Sequence, residues 1–122
     1  MIRLDHVNVR CRDLEGMRRF FETVVGLHVG ARPDFDFPGY WLYGSEPGEA
    51  IVHLVGVADD GAENAPGPVD HFAFRGGDHA KQLSAIKAAG LEYRENDVPG
   101  RPIRQVFVRG PEAVTVELQF PL

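Results

Sequence analysis

The sequence predicts an α+β fold made of two tandem copies of one βαβββ module, and three observations carry that prediction. Leu4-Asp5-His6-Val7 recurs 65 residues later as Val69-Asp70-His71-Phe72. An aspartate suited to cap a helix follows each copy at the same offset, Asp13 before Leu14-Glu15-Gly16-Met17 and Asp78 before His79-Ala80-Lys81-Gln82. A glycine suited to a left-handed helix end then appears in each, Gly26 before Leu27 and Gly90 before Leu91. Landmarks that keep one spacing while the residues between them diverge are the mark of an internal repeat.

The elements follow from hydrophobic periodicity. Leu14, Met17, Phe20, Phe21 and Val24 fall at helical spacing between Asp13 and Gly26, as do Leu83, Ile86 and Ala89 between Asp78 and Gly90. Both sets read as stripes that face the core. Segments near 2–10, 28–33, 40–44 and 50–57 alternate or are rich in β-branched and aromatic residues, and so do those near 69–75, 91–95, 103–109 and 114–120; these are the expected strands. Module 1 then covers about 1–57 and module 2 about 69–122, joined by 58–68, whose prolines, glycines and acids mark a solvated connection. Modules of ~55–60 residues bury too little surface to stand alone, so the chain is expected to be a single domain.

Composition narrows the function. The 122 residues carry 13 Lys+Arg and 18 Asp+Glu for a formal charge of −5, with 43% hydrophobic and 25% charged residues. That balance describes a folded, soluble chain, and no apolar run reaches the ~20 residues needed to span a bilayer. With no basic block to neutralise several phosphates, nucleic-acid binding is disfavoured and a small molecule is the expected partner. The single cysteine, Cys11, has no disulfide partner in the chain and no local histidine to activate it, so it reads as an inert buried thiol. With an N-terminus that lacks a signal-peptide layout, the reducing cytoplasm is the expected compartment.

Strand parity selects the candidate site. Val7 and Val9 are expected beneath the helix, which sends His6, Asn8 and Arg10 to the opposite face; Phe72 and Phe74 do the same for His71 and Arg75. On the last strand, Val114, Val116, Leu118 and Phe120 turn inward, which leaves Thr115, Glu117 and Gln119 on the open side. The repeat equivalent of Glu117 is His53. Each module thus offers two polar side chains, His6 with His53 and His71 with Glu117. Three imidazoles and a carboxylate gathered in a cavity cost several kcal/mol unless a cation or hydrogen bonds satisfy them. A divalent ion does so, and this donor set suits Zn, Ni, Mn, Co or Fe(II) rather than Ca. His28 and His79 fit no such pattern and read as surface residues. Trp41 and Tyr43 on the third strand, with Asn8, Arg10, Arg75 and Gln105, are the candidates to bind substrate, with Arg94 and Arg104 behind them. The segment Asn96–Pro102 reads as a loop that sets specificity.

Leu4-Asp5-His6-Val7-Asn8-Val9, the helix that ends Val24-Val25-Gly26-Leu27, Val69-Asp70-His71-Phe72-Ala73-Phe74 and Val114-Thr115-Val116-Glu117-Leu118 together resemble the vicinal oxygen chelate superfamily of glyoxalases, bleomycin-resistance proteins and extradiol dioxygenases. The resemblance implies modules curled into a cup-shaped, partly open β-barrel with helices outside, around a divalent metal held by His6, His53, His71 and Glu117. It implies a glyoxalase-I-like lyase or isomerase acting on a small substrate with adjacent oxygens, with Glu117 and His53 as candidate catalytic groups. His53 departs from the glutamate usual in bacterial glyoxalase I. As a fourth ligand it favours isomerase or lyase chemistry, whereas standing off the metal it leaves His6, His71 and Glu117 as the ligand set of an Fe(II) ring-cleaving dioxygenase. A third reading is a metal-free drug-binding protein. Short members commonly dimerise, so a homodimer is expected, each site pairing His6 and His53 of one chain with His71 and Glu117 of the other.

Overall fold

The computed structural model describes residues 1–45, 47–65 and 67–122. The chain divides into two compact units, Met1–Ala62 and Glu63–Leu122. The first contains β1 (Val7–Cys11), α1 (Leu14–Phe20), β2 (His28–Gly30), β3 (Gly39–Tyr43) and β4 (Ala50–Gly56). The second contains β5 (Phe72–Arg75), α2 (His79–Ala88), β6 (Tyr93–Asp97), β7 (Ile103–Arg109) and β8 (Thr115–Pro121). Each unit is therefore βαβββ, and the sheet orders β1-β4-β3-β2 and β5-β8-β7-β6 are the same topology used twice. In both, the first strand runs parallel to the last and the other pairings are antiparallel. No helix among the described residues is long and apolar enough to cross a membrane.

The expected caps form. The Asp13 carboxylate accepts the Gly16 N–H at 3.0 Å, and that of Asp78 accepts the Lys81 N–H at 3.0 Å, each satisfying a donor that the first turn leaves open. Position 16 needs glycine, since a Cβ there would stand 2.3 Å from the Asp13 carboxylate. The first helix departs from expectation at its end, where Phe21–Val25 form a π-helical turn. Gly26, left-handed at φ 93°, and Leu27 both donate to the Phe21 carbonyl at 3.0 Å. The wider turn leaves Phe21 and Val24 buried together with Met17 and Phe20.

Parity holds in all the strands that bear on the site. Val9, Val52 and Leu54 are buried in the first unit and Val106, Val108, Val116 and Leu118 in the second, while Asn8, Arg10, Ala73 and Arg75 are exposed. Cys11 is buried, as expected, and its thiol donates to the Val55 carbonyl. Strand boundaries move, and β2 ends at Gly30 rather than near 33. β1 begins at Val7 and β5 at Phe72, because the pairings with β4 and β8 begin there and the side chains of Ile2, Leu4 and Val69 find nothing to cover them. His6 and His71 therefore stand immediately before their strands rather than within them. β6 spans Tyr93–Asp97, so Asn96 and Asp97 belong to a strand and not to a loop; Asp97 accepts from Arg104 across the hairpin at 2.8 Å.

In the first unit, Tyr40 of β3 donates its hydroxyl to the Glu15 carboxylate on α1. This bond, followed by the one from Arg18, holds the Glu15 carboxyl below its ordinary value of 4.5. A carboxyl depressed in the folded state stabilises the fold above its unfolded value and loses that contribution as pH falls through the folded one. Thermal melts of Tyr40→Phe and wild type should therefore differ at neutral pH and converge in acid, below the folded value of Glu15. Curves that stay parallel through the acid range would remove this bond from the account.

Candidate metal centre

In the first unit β4 presents His53 on the face opposite Val52 and Leu54, directly across from Asn8 of β1 and Trp41 of β3. The His53 ring is sandwiched between the His6 ring at 3.9 Å, with planes 11° apart, and the Trp41 indole at 4.1 Å and 10°. Its Nε2–H donates to the Ala50 carbonyl at 3.1 Å, which leaves Nδ1 with a lone pair. Burial, reinforced by the neighbouring His6, pushes the His53 imidazole below its ordinary value of 6.5, so it is neutral at pH 7. His6 donates from Nδ1 to the Asp5 carboxylate at 2.7 Å, which turns Nε2 outward. Because the two imidazole planes are nearly parallel, the lone pairs of His6 and His53 do not converge on one point in this arrangement.

In the second unit β8 presents Glu117, the only charged residue buried among the described residues. Its Oε2 accepts from Gln119 at 2.8 Å and from Gln105 of β7 at 3.2 Å. Its Oε1 lies 3.1 Å from Nε2 of His71, whose Nδ1 lies 2.8 Å from the Asp70 carboxylate. The imidazole thus has a carboxylate oxygen at each nitrogen. A neutral imidazole carries one N–H, so one contact calls for a second cation, a proton or a metal ion. Phe107, paired with Glu117 across the strands, meets the His71 ring edge-on at 5.2 Å.

The pairs His6 with His53 and His71 with Glu117 are thus each brought together within their own unit. Among the described residues no group of three or more His, Cys, Asp or Glu side chains is close enough to hold a metal ion. The donor chemistry nevertheless fits one. Asp5 and Asp70 fix the ring orientation of His6 and His71 through Nδ1, the arrangement by which carboxylates commonly orient histidine ligands. Sequence reading gave these aspartates and Gln119 no role, although both copies of the repeat place aspartate beside the histidine and parity places Gln119 beside Glu117.

The other candidates divide. Trp41 packs on His53, and Gln105 is held by Glu117. Tyr43 donates its hydroxyl to the Ala31 carbonyl and its ring occupies the space over Gly30, so it secures β2 to β3. Asn8, Arg10 and Arg75 are exposed on the expected face. His28 stacks loosely with Tyr43, and His79 meets Glu95 at 2.7 Å. A cavity of about 180 Å³ borders His71.

Duplicated βαβββ units that offer histidine and carboxylate donors from corresponding places define a class of small proteins built around shared oxygen-chelating chemistry. The profile described as the Glyoxalase/Bleomycin resistance protein/Dioxygenase superfamily matches residues 3–118, and the chain belongs to that family. It is 26% identical over 122 residues to Glyoxylase I 4 of Arabidopsis thaliana, covering 94% of this chain and 68% of that protein. Among solved structures, the fosfomycin resistance protein FosX of Listeria monocytogenes superposes with a TM-score of 0.76 at 15% identity, over 100% of this chain and 94% of that one. The trypanothione-dependent glyoxalase I of Leishmania major gives 0.70 at 20% identity, over 97% and 86%. At these identities the structural matches establish the fold.

The stack on Trp41 makes a local reporter, since this is the only tryptophan in the chain. Cationic imidazole quenches indole emission, and His53 titrates below 6.5. In chelator-treated protein, emission should fall as pH is lowered with a midpoint below 6.5, and His53→Gln should abolish the fall. A midpoint at or above 6.5 would contradict the burial of this ring.

Proposed function

We propose that the protein is a divalent-metal enzyme of the glyoxalase-I-like type, a lyase or isomerase acting on a small substrate with two adjacent oxygens. His6, His71 and Glu117 are its metal donors. His53 is either a fourth donor, after rotation of its ring, or a neutral base behind His6. The observation that carries this reading is His71, whose two nitrogens face Asp70 and the buried carboxylate of Glu117. When bound, a divalent ion supplies Lewis acidity toward paired substrate oxygens. The protein's own groups do the rest. Gln105 and Gln119 occupy Oε2 of Glu117 and leave Oε1 for the donor role, Asp5 and Asp70 hold the imidazoles in orientation, and His53, neutral at pH 7, can accept a substrate proton at Nδ1.

Elemental analysis after reconstitution tests this. About one ion per chain is expected, absent from His71→Ala and Glu117→Ala and held about 10–100-fold more weakly by Asp70→Asn. Protein that takes up no ion under any loading would leave a small-molecule binder as the better reading. One observation favours a second enzymatic reading. With His53 turned against Trp41 rather than toward the outward nitrogen of His6, the three remaining donors form the two-histidine, one-carboxylate set that suits Fe(II) and dioxygen. Oxygen uptake by the Fe(II)-loaded protein in the presence of a catechol, with none by the Zn-loaded form, would select it.

The assembly belongs to the same proposal. Each unit supplies two donors, and Ile2, Leu4 and Val69 leave apolar surface exposed beside the two histidines, as a second copy of the chain would require. In a homodimer that pairs His6 and His53 of one chain with His71 and Glu117 of the other, mixing His6→Ala with His71→Ala protein regenerates one intact donor set per mixed dimer. Metal uptake should therefore reappear on mixing. Two variants that stay empty after verified subunit exchange would place all four donors in one chain.

A further inference from the structure

We infer that the second unit carries an oxyanion subsite, in a cavity over Phe107, that takes the acidic group of a small substrate with a flat body. This rests on the metalloenzyme reading only in calling the ligand a substrate. The cavity measures about 310 Å³ and lies within the one unit, at the lower end of the range for small-ligand pockets. Strand register places its walls. Arg94 of β6 pairs with Phe107 of β7, Phe107 pairs with Glu117 of β8, and Arg109 pairs with Thr115. Directly paired residues share a sheet face, and so do residues two apart, so Arg94, Phe107, Arg109 and Thr115 all stand on the face that bears Glu117.

The charge at this cavity has a chemical meaning. The Arg94 guanidinium lies over the Phe107 ring, 4.5 Å from its centroid, a contact that orients the group without neutralising it. Neither Arg94 nor Arg109 has a carboxylate partner among the described residues. Of the two acids on the wall, Asp70 is turned to Nδ1 of His71, so neither it nor Glu92 is paired with the two guanidinium groups among the described residues. Guanidinium forks match the planar, two-oxygen geometry of a carboxylate and equally that of a phosphate or phosphonate. Phe107 and the Arg94 guanidinium over it offer a flat surface to the body of the ligand, and the edge contact of Phe107 with His71 places the subsite beside the donor pair. A ligand anchored here by its acid therefore extends toward Glu117 with its other end.

The test uses the full-length protein, metal-free and metal-loaded, with benzoate, phenylphosphonate and the neutral isostere benzamide as probes, read by amide chemical shifts. Benzoate or phenylphosphonate should give saturable shifts at residues 92–94, 107–109 and 115 with or without metal. Benzamide should bind at least about tenfold more weakly, and Arg94→Gln and Arg109→Gln should each weaken the acid by a similar factor. Both arginines are exposed, so these variants retain the fold, which the same spectra check. The stronger of the two acids identifies the carboxylate or the phosphonate class. Equal binding of benzamide and benzoate, indifference to both arginine variants, or the absence of saturable shifts would each overturn the subsite. Acid binding by a protein that takes up no metal would overturn the metalloenzyme reading and leave the subsite standing.

Discussion

The arrangement depends on seating one acidic side chain inside a sheet. Glu117 is 3% exposed between Val116 and Leu118, both fully buried. An isolated charge there would cost several kcal/mol or more. The surrounding residues answer that cost with directed contacts. Two carboxamides hold one oxygen, and an imidazole fixed from behind by an aspartate addresses the other. The asymmetry matters chemically, because the two carboxamides occupy Oε2 and leave Oε1 as the oxygen beside Nε2 of His71.

The two units show how duplicated architecture diverges at one position. With histidine at 53 in place of an acid, the first unit has no charge to bury, and its answer is a stack: the ring lies flat between His6 and Trp41 and stays neutral because it is desolvated. In the second unit the acid draws a fan of hydrogen-bond donors instead. Both solutions keep an aromatic residue on the neighbouring strand against the polar pair, Trp41 across from His53 and Phe107 across from Glu117. The conserved element of the repeat is thus geometric, a polar pair backed by an aromatic wall, while its electrostatics differ between halves.

Much of this was legible in the amino acids. Equal spacing of Leu4-Asp5-His6-Val7 and Val69-Asp70-His71-Phe72 and the caps at Asp13 and Asp78 yield the βαβββ repeat, and parity assigns His53 and Glu117 to the open face, because both signals depend on local backbone geometry. What escaped depends on side-chain rotation or on where pairing stops. Alternation continues through residues 2–6, but pairing with β4 begins only at Val7, so His6 lies outside its strand. Gln105 and Tyr43 read as candidates to bind substrate, and nothing in the sequence reveals that Glu117 engages the first or that the hydroxyl of the second is committed to Ala31. The π-helical turn at Phe21–Val25 keeps the apolar spacing of an ordinary helix and differs only in which carbonyl closes the turn.

Nitrogen-15 NMR of the histidine rings tests the central claim most directly, by following both nitrogens of His71 as Zn2+ is added to chelator-treated protein. The account predicts that Nε2 moves to the shift of a metal-bound nitrogen while Nδ1 stays protonated against Asp70, and that Glu117→Gln suppresses the change. A His71 ring whose nitrogens keep their shifts through saturating Zn2+ would contradict it.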